Sequence, residues 1–139
     1  MEIESPNDKL MNRIMKVING NLSNPNLTVE MIANEVGTSR VHLNRKLKEL
    51  TNQTAREFIK NCRLKQAAEL LSQKKQNITE IAELTGFNNP NNFSTAFKEL
   101  FGVSPSAYKE YLDTKKENEE TQSWQEMDPH LHLGNLFIN

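Results

Sequence analysis

Apolar side chains recur along the chain at spacings of three and four, and they do so twice. Ile32, Ala33, Leu43, Leu47 and Leu50, arranged around Gly37, return as Ile81, Ala82, Phe93, Phe97 and Leu100 around Gly86. The offset is 49 residues up to the glycine and 50 beyond it. Flanking positions follow the same offset, since Lys48-Glu49 recurs as Lys98-Glu99, Thr54 as Ser104 and Phe58 as Tyr108. Each copy reads as a helical stripe, a glycine, a polar capping residue and a second stripe, which is how a helix-turn-helix is written. No alternating run of β-branched and aromatic residues reaches strand length, so the expected fold is all-α.

The pattern divides into about seven helices. The first is capped by Asn7 or Asp8 and runs to about Ile18, with Leu10, Ile14, Val17 and Ile18 as the stripe that covers the first repeat. Thr28 caps a second helix with Val29, Ile32, Ala33 and Val36 inward, and Gly37 ends it at positive φ. Ser39 caps a third, ending near Leu50, that buries Leu43, Leu47 and Leu50. Thr54 and Glu57 form a capping box that opens the longest helix, reaching about Ser72. At 1.5 Å per residue this helix is roughly 27 Å long, and its apolar surface is wide enough to serve two neighbours. It is expected to act as a rigid spacer.

Ile78-Thr79 opens a fifth helix with Ile81, Ala82 and Leu84 inward. Asn89-Pro90 starts a sixth that buries Phe93, Phe97 and Leu100, and Ser104-Pro105 starts a seventh through about Leu112. The expected organisation is an N-terminal helix and connection (1–26), a double helix-turn-helix (27–112) and an acidic, partly disordered tail (113–139). Within the double unit, 27–53 is the first half, 54–72 the linker helix and 78–112 the second half. The tail combines a polar stretch from Lys115 to Gln125, holding Trp124, with the terminal apolar residues Leu131, Leu133, Leu136, Phe137 and Ile138.

Charge changes the picture, because a formal net charge of −1 hides an asymmetry. Residues 40–75 carry ten Lys and Arg against three Glu, whereas 113–139 carry two Lys against six acidic residues. A basic middle beside an acidic flank is the footprint expected of a polyanion-binding surface. Cys62 is the lone cysteine, so neither an intrachain disulfide nor a thiolate metal cluster can form, and it reads as a small hydrophobe. His130 and His132, near Asp128, lack the further spaced ligands of a metal site. No cofactor and no metal are expected. The histidines and Cys62 do not converge and the glycines make no phosphate loop, so the chain does not read as an enzyme and no catalytic residue is assigned. No stretch approaches about 18 apolar residues, and Met1 to Glu4 lack the features of a secretory signal, so a cytoplasmic chain without membrane contact is expected.

A helix-turn-helix places the start and outer face of its second helix in the major groove. In the first copy that face offers Val41 for a thymine methyl, Asn44 for adenine and Arg45 for guanine. In the second it offers the amides and hydroxyl of Asn91, Asn92 and Thr95. Ser39, Arg40, His42, Lys48, Arg56, Lys60, Asn89 and Lys98 are the expected backbone contacts. The helix N-termini at Thr28, Thr54, Thr79 and Ser104 offer N–H groups to phosphates as well. Lys98 is the only cation on the second recognition helix, so the first half is expected to carry most of the affinity and the second to add selectivity.

These residues resemble the DNA-binding domain of the AraC/XylS family of bacterial transcription regulators, over about residues 27–112. The resemblance rests on Leu27-Thr28-Val29 with Ile32-Ala33, on Val36-Gly37-x-Ser39-x2-His42-Leu43-x-Arg45, and on Phe58-Ile59-x3-Arg63-Leu64-x2-Ala67-x2-Leu70-Leu71. It continues in Ile81-Ala82-x3-Gly86-Phe87 and in Phe93-Ser94-x2-Phe97-Lys98-x2-Phe101-Gly102-Val103-Ser104-Pro105-x2-Tyr108. It implies two helix-turn-helix units on one linking helix, reading adjacent major grooves of double-stranded DNA through Val41, Asn44, Arg45, Asn91, Asn92 and Thr95. The sequence departs from the family's pattern at Asn92, often Tyr, and at Thr95 and Lys109, both often Arg. Without the arginine at Thr95, a weaker contact by the second unit is expected.

The stretch from Leu10 to Asn26, with Val41 to Leu47, is similar to the output domain of hybrid two-component regulators of Bacteroidetes. That similarity implies receiver and kinase domains, or a second copy, as partners in a parent protein anchored in the inner membrane. RNA polymerase is a further candidate partner. The isolated chain is expected to be monomeric. The competing reading is a helical protein- or RNA-interaction module without specific DNA readout, which the nearly neutral second recognition helix permits.

Overall fold

The computed structural model describes residues 4–117. Among them seven helices follow one another with no strand: α1 (Pro6–Asn19), α2 (Val29–Val36), α3 (Arg40–Thr51), α4 (Ala55–Gln73), α5 (Ile78–Leu84), α6 (Pro90–Phe101) and α7 (Pro105–Glu117). Each begins on a small polar side chain that accepts an N–H of the first turn, a donor the helix itself leaves unpaired. Two of these caps correct the sequence expectation. Ser5, not Asn7 or Asp8, caps α1: its Oγ accepts the Asp8 N–H at 3.1 Å, and Pro6 takes the first helical position. α5 is capped by Asn77, boxed with Glu80, two residues ahead of the expected Thr79. At the other end of the fold, α7 continues past Leu112 to Glu117, where Asp113 pairs with Lys74 Nζ at 2.5 Å. The rest of the expected tail, including Trp124, His130, His132 and the terminal apolar run, lies outside the described residues.

The capping box at α4 is present as expected, with the Glu57 N–H donating to Thr54 Oγ1 (3.1 Å) and the Thr54 N–H to Glu57 Oε1 (2.9 Å). The Thr54 backbone N–H, and after it the Thr54 side chain, hold the Glu57 carboxyl below its ordinary value of 4.5. A lowered native pKa adds stability above the unfolded value, and that stability is lost as pH falls through the native one. Glu57→Gln keeps an acceptor without the titration. Its melting temperature is expected to vary less than the parent's as pH falls below about 4.5, a difference that paired thermal melts would read.

The two turns are built alike. Gly37 (φ 79°) and Gly86 (φ 84°) are both left-handed, a conformation that side chains bearing Cβ resist. After Gly37, the Thr38 N–H donates to the Ala33 carbonyl at 2.9 Å; after Gly86, the Phe87 N–H donates to the Ala82 carbonyl at 2.9 Å. The bonds match at the same 49-residue offset as the sequences do.

Two hydrophobic clusters form the interior. The first gathers Ile14 and Ile18 of α1, Ile32, Ala33 and Val36 of α2, Leu43 and Leu47 of α3, and Phe58, Ile59 and Cys62 of α4. The second takes Leu64, Ala67, Ala68 and Leu71 of α4, Ile81 and Ala82 of α5, Phe93, Phe97 and Phe101 of α6, and Tyr108 of α7. α4 is thus the closing helix of one cluster and the opening helix of the other. The packing pairs repeat accordingly: α1 on α2, α2 on α3, α3 on α4 and α1 on α4 correspond to α4 on α5, α5 on α6, α6 on α7 and α4 on α7. Of the expected inward positions, Leu10, Val17 and Val29 are only partly buried against the first cluster. Leu84 is exposed, and Leu50 and Leu100 are only half-buried, while Phe101 takes the interior position expected of Leu100.

Candidate nucleic-acid interface

α3 is fixed from within by Leu43 and Leu47, both fully buried, and from its start by Ser39, whose Oγ accepts the His42 N–H at 3.1 Å. The opposite face carries Arg40, Val41 and Arg45, all exposed. Val41 is 76% exposed, the most exposed of the large apolar side chains described, and no neighbour offsets its hydration. That is a cost in isolation and an asset against a thymine methyl. Arg45 Nη2 donates to His42 Nδ1 at 2.7 Å. An arginine has no acceptor, so this contact requires the imidazole to be unprotonated at Nδ1, and it orients the guanidinium along the helix.

Asn44 differs from its neighbours, being half-buried with its Oδ1 accepting the Ala55 N–H at 3.3 Å. Bidentate reading of adenine uses both halves of the amide, so Oδ1 would have to leave Ala55 to take part. Beside it, a groove between α2, α3 and α4 is lined by Thr28, Arg40, Asn44, Thr54, Arg56 and Lys60, with Phe87 at its far edge. Arg40, Arg56 and Lys60 outnumber the one carboxylate on this concave surface, Glu30, and the starts of α2 and α4 border it, an arrangement suited to phosphate oxygens. Lys48 lies at the other end of α3, with Nζ donating to the Asn52 carbonyl at 3.4 Å.

α6 is seated by aromatic rings. Phe93 packs on Phe87 and Phe97 with ring centroids at 5.2 and 5.8 Å, and Phe97 meets Phe101 at 4.3 Å and Tyr108 at 5.8 Å. Its outer face presents Asn91, Asn92, Thr95 and Lys98, all exposed. Asn89 caps the helix, its Oδ1 accepting the N–H groups of Asn91 (2.7 Å) and Asn92 (3.3 Å), so its carbonyl oxygen is committed to the fold. The expected residues thus fall on two separate helix faces and one groove.

Arg63, one of the ten cations of residues 40–75, does not belong to the basic surface. Only 7% exposed, it donates from Nη1 to the carbonyls of Leu22 and Thr85 (3.1 Å to the latter) and from Nη2 to that of Asn24 (2.8 Å). Burial lowers its pKa from the ordinary guanidinium value. Burial also pushes the neighbouring Cys62 thiol up to about 12, which leaves it an unreactive core side chain. Among the described residues, no group of His, Cys, Asp and Glu could hold a metal ion, and no helix is long and apolar enough to cross a membrane.

Comparison with known proteins follows the same outline. A family model described as a helix-turn-helix domain matches residues 32–111. Histidine kinase P4 of Formosa agariphila is 39% identical over 106 residues, which are 76% of this chain and 8% of that protein. The probable transcription factor PqrA of Proteus vulgaris is 32% identical over 104 residues, 74% of this chain and 85% of that one. Among solved structures, the C-terminal domain of AraT, a response regulator from Geobacillus stearothermophilus, is 30% identical with a TM-score of 0.67, covering 94% of this chain and 98% of that one.

Proposed function

The chain belongs to the AraC-type helix-turn-helix family of DNA-binding transcription regulators, and from that premise we propose that it binds double-stranded DNA sequence-specifically, with α3 and α6 in successive major grooves. The observation that carries this reading is the pair of matched turns at Gly37 and Gly86, each presenting a helix with a buried apolar face and an exposed polar one. A family of DNA-binding regulators favours this reading over catalysis and over an RNA- or protein-interaction module.

In this account Val41, Asn44 and Arg45 read bases from α3, and Asn91, Asn92 and Thr95 read them from α6. Ser39, Arg40, His42, Lys48, Arg56, Lys60, Asn89 and Lys98 hold the backbone. The DNA-binding unit spans residues 27–112, and α1 completes the first core. Cations cluster at α3 and α4 while α6 offers Lys98 alone on its outer face, so the first unit supplies most of the electrostatic affinity.

The parent protein is a two-component regulator in which this chain is the output domain. The match to 8% of the length of a histidine kinase and to a response regulator's C-terminal domain supports that context. Receiver and kinase domains or a second copy are its partners in that parent protein, with RNA polymerase a candidate, and the DNA-binding portion works in the cytoplasm.

Selection of bound sequences from a randomised duplex pool, followed by salt titration of the winner against a scrambled duplex, tests the reading. Two enriched elements about one helical turn apart are expected. Binding without enrichment that fades equally on both duplexes as salt rises would reject sequence-specific recognition.

A further inference from the structure

We propose that Arg63 is a positioning residue that locks the two helix-turn-helix units into a single rigid reader of fixed spacing. The inference rests on the reading that both α3 and α6 contact DNA. It is carried by where Arg63 lies: the first hydrophobic cluster ends at Cys62 and the second begins at Leu64, so the buried guanidinium occupies the seam between them. Its acceptors come from both sides. Leu22 and Asn24 belong to the connection between α1 and α2, and Thr85 belongs to the turn between α5 and α6.

Besides this clasp, the Leu22 carbonyl lies directly against Gly86. The substantial helix pairs other than those through α4 stay within one unit. Open clefts flank the contact, one bordered by Leu22, Cys62, Lys65 and Leu84 and the other by Leu27, Gly86 and Phe87. α4 sets how far apart the units stand along its axis. The three-way clasp resists their rotation about and bending across that axis. A guanidinium suits the task, because its planar fork of five donors can serve several carbonyls at once, which a single ammonium cannot do with the same geometry. Gly86 admits it: a Cβ there would overlap the guanidinium and lie 2.6 Å from the Leu22 carbonyl oxygen.

The test uses spin labels on cysteines introduced at Glu49 of α3 and Glu99 of α6, both exposed and outside the proposed DNA contacts, with buried Cys62 left in place. With Arg63 native, a single narrow distance distribution is expected. In Arg63→Met that still shows native helical content by circular dichroism, the distribution is expected to broaden or shift. Should Arg63→Met not fold, Arg63→Lys carries the same measurement. An unchanged distribution in a folded variant overturns the proposal, whatever happens on DNA.

On the selected duplex, loosening the clasp should weaken two-element binding by about tenfold, because the second unit's effective concentration falls, while a one-element duplex is bound about as before. The variant's preference among duplexes with one or two base pairs inserted between elements should flatten. Equal losses on one- and two-element duplexes would mean a stability role only. If selection returns no motif, the DNA reading fails, and the distance measurement still decides whether Arg63 fixes the units.

Discussion

Gly86→Ala is expected to lower the melting temperature considerably more than Gly37→Ala, although the two glycines hold equivalent places in the repeat. Both have positive φ, and an L-residue in that conformation costs about 1–2 kcal/mol. At Gly37 that is nearly the whole effect, since the nearest atom to an added Cβ is Arg13 Nη2, 4.0 Å away. At Gly86 the added methyl displaces the Arg63 guanidinium and strikes the Leu22 carbonyl. The carbonyls of Leu22, Asn24 and Thr85 then lose their donor, at about 1–3 kcal/mol for each one left buried without water. With water reaching some of the three carbonyls, the expected total is about 3–5 kcal/mol for Gly86→Ala against about 1–2 for Gly37→Ala. Melts followed by circular dichroism should separate the two by roughly 10 °C. Equal shifts would show that the clasp contributes nothing beyond the turn's own geometry.

The largest loss in DNA recognition is expected from Arg45→Ala. Arg45 is exposed on the outer face of α3, steadied by His42 and flanked by the groove that gathers Arg40, Arg56 and Lys60. No arginine stands in the corresponding stretch of α6. If Arg45 reads guanine through O6 and N7, its removal should cost about 1–3 kcal/mol on the selected site, roughly 5- to 150-fold in Kd, and much less on scrambled DNA. A phosphate contact would instead weaken both duplexes alike and reduce the salt slope by about one. Fluorescence anisotropy with the two duplexes at several salt concentrations separates these results. Loss of equal size on both would remove Arg45 from the base-reading set.

The helices were legible because each carries its own signals. Apolar residues at helical spacing fixed the inner faces of α3 and α6, and Thr28, Ser39, Thr54 and Asn89 marked their own starts. Hydrophobicity alone does not place every side chain, and the repeat does. Leu84 is apolar, yet its counterpart in the first unit is the exposed Glu35, while the neighbouring Thr85 matches the buried Val36 and is itself fully buried. Helix phase, not side-chain polarity, decides which of the two faces inward. Thr85 satisfies its hydroxyl by donating to the Ile81 carbonyl at 2.8 Å, which makes its burial tolerable.

In the candidate site, the exposed faces of α3 and α6 could be read from their buried faces. The commitments of Asn44 to Ala55 and of Asn89 to its own helix start depend on how neighbouring segments meet. Arg63 was hidden for the same reason. Its Leu22 and Asn24 acceptors lie about forty residues away in sequence, and nothing local distinguishes an arginine that binds carbonyls from one that faces water.

The sharing of α4 between two cores also gives the fold an order of assembly. Apart from its last few side chains in the first half of α4, the first cluster is drawn from residues that precede that helix, and it is complete once Cys62 has been made. The second cluster borrows four of its ten members, Leu64, Ala67, Ala68 and Leu71, from the rest of the same helix. A nascent chain can therefore consolidate its first half alone and extend it into a preformed ridge on which the second half docks. A fragment beginning at α5 would lack the ridge and leave Phe93, Phe97 and Phe101 without the helix that covers them, just as one ending before α4 would lack Phe58, Ile59 and Cys62.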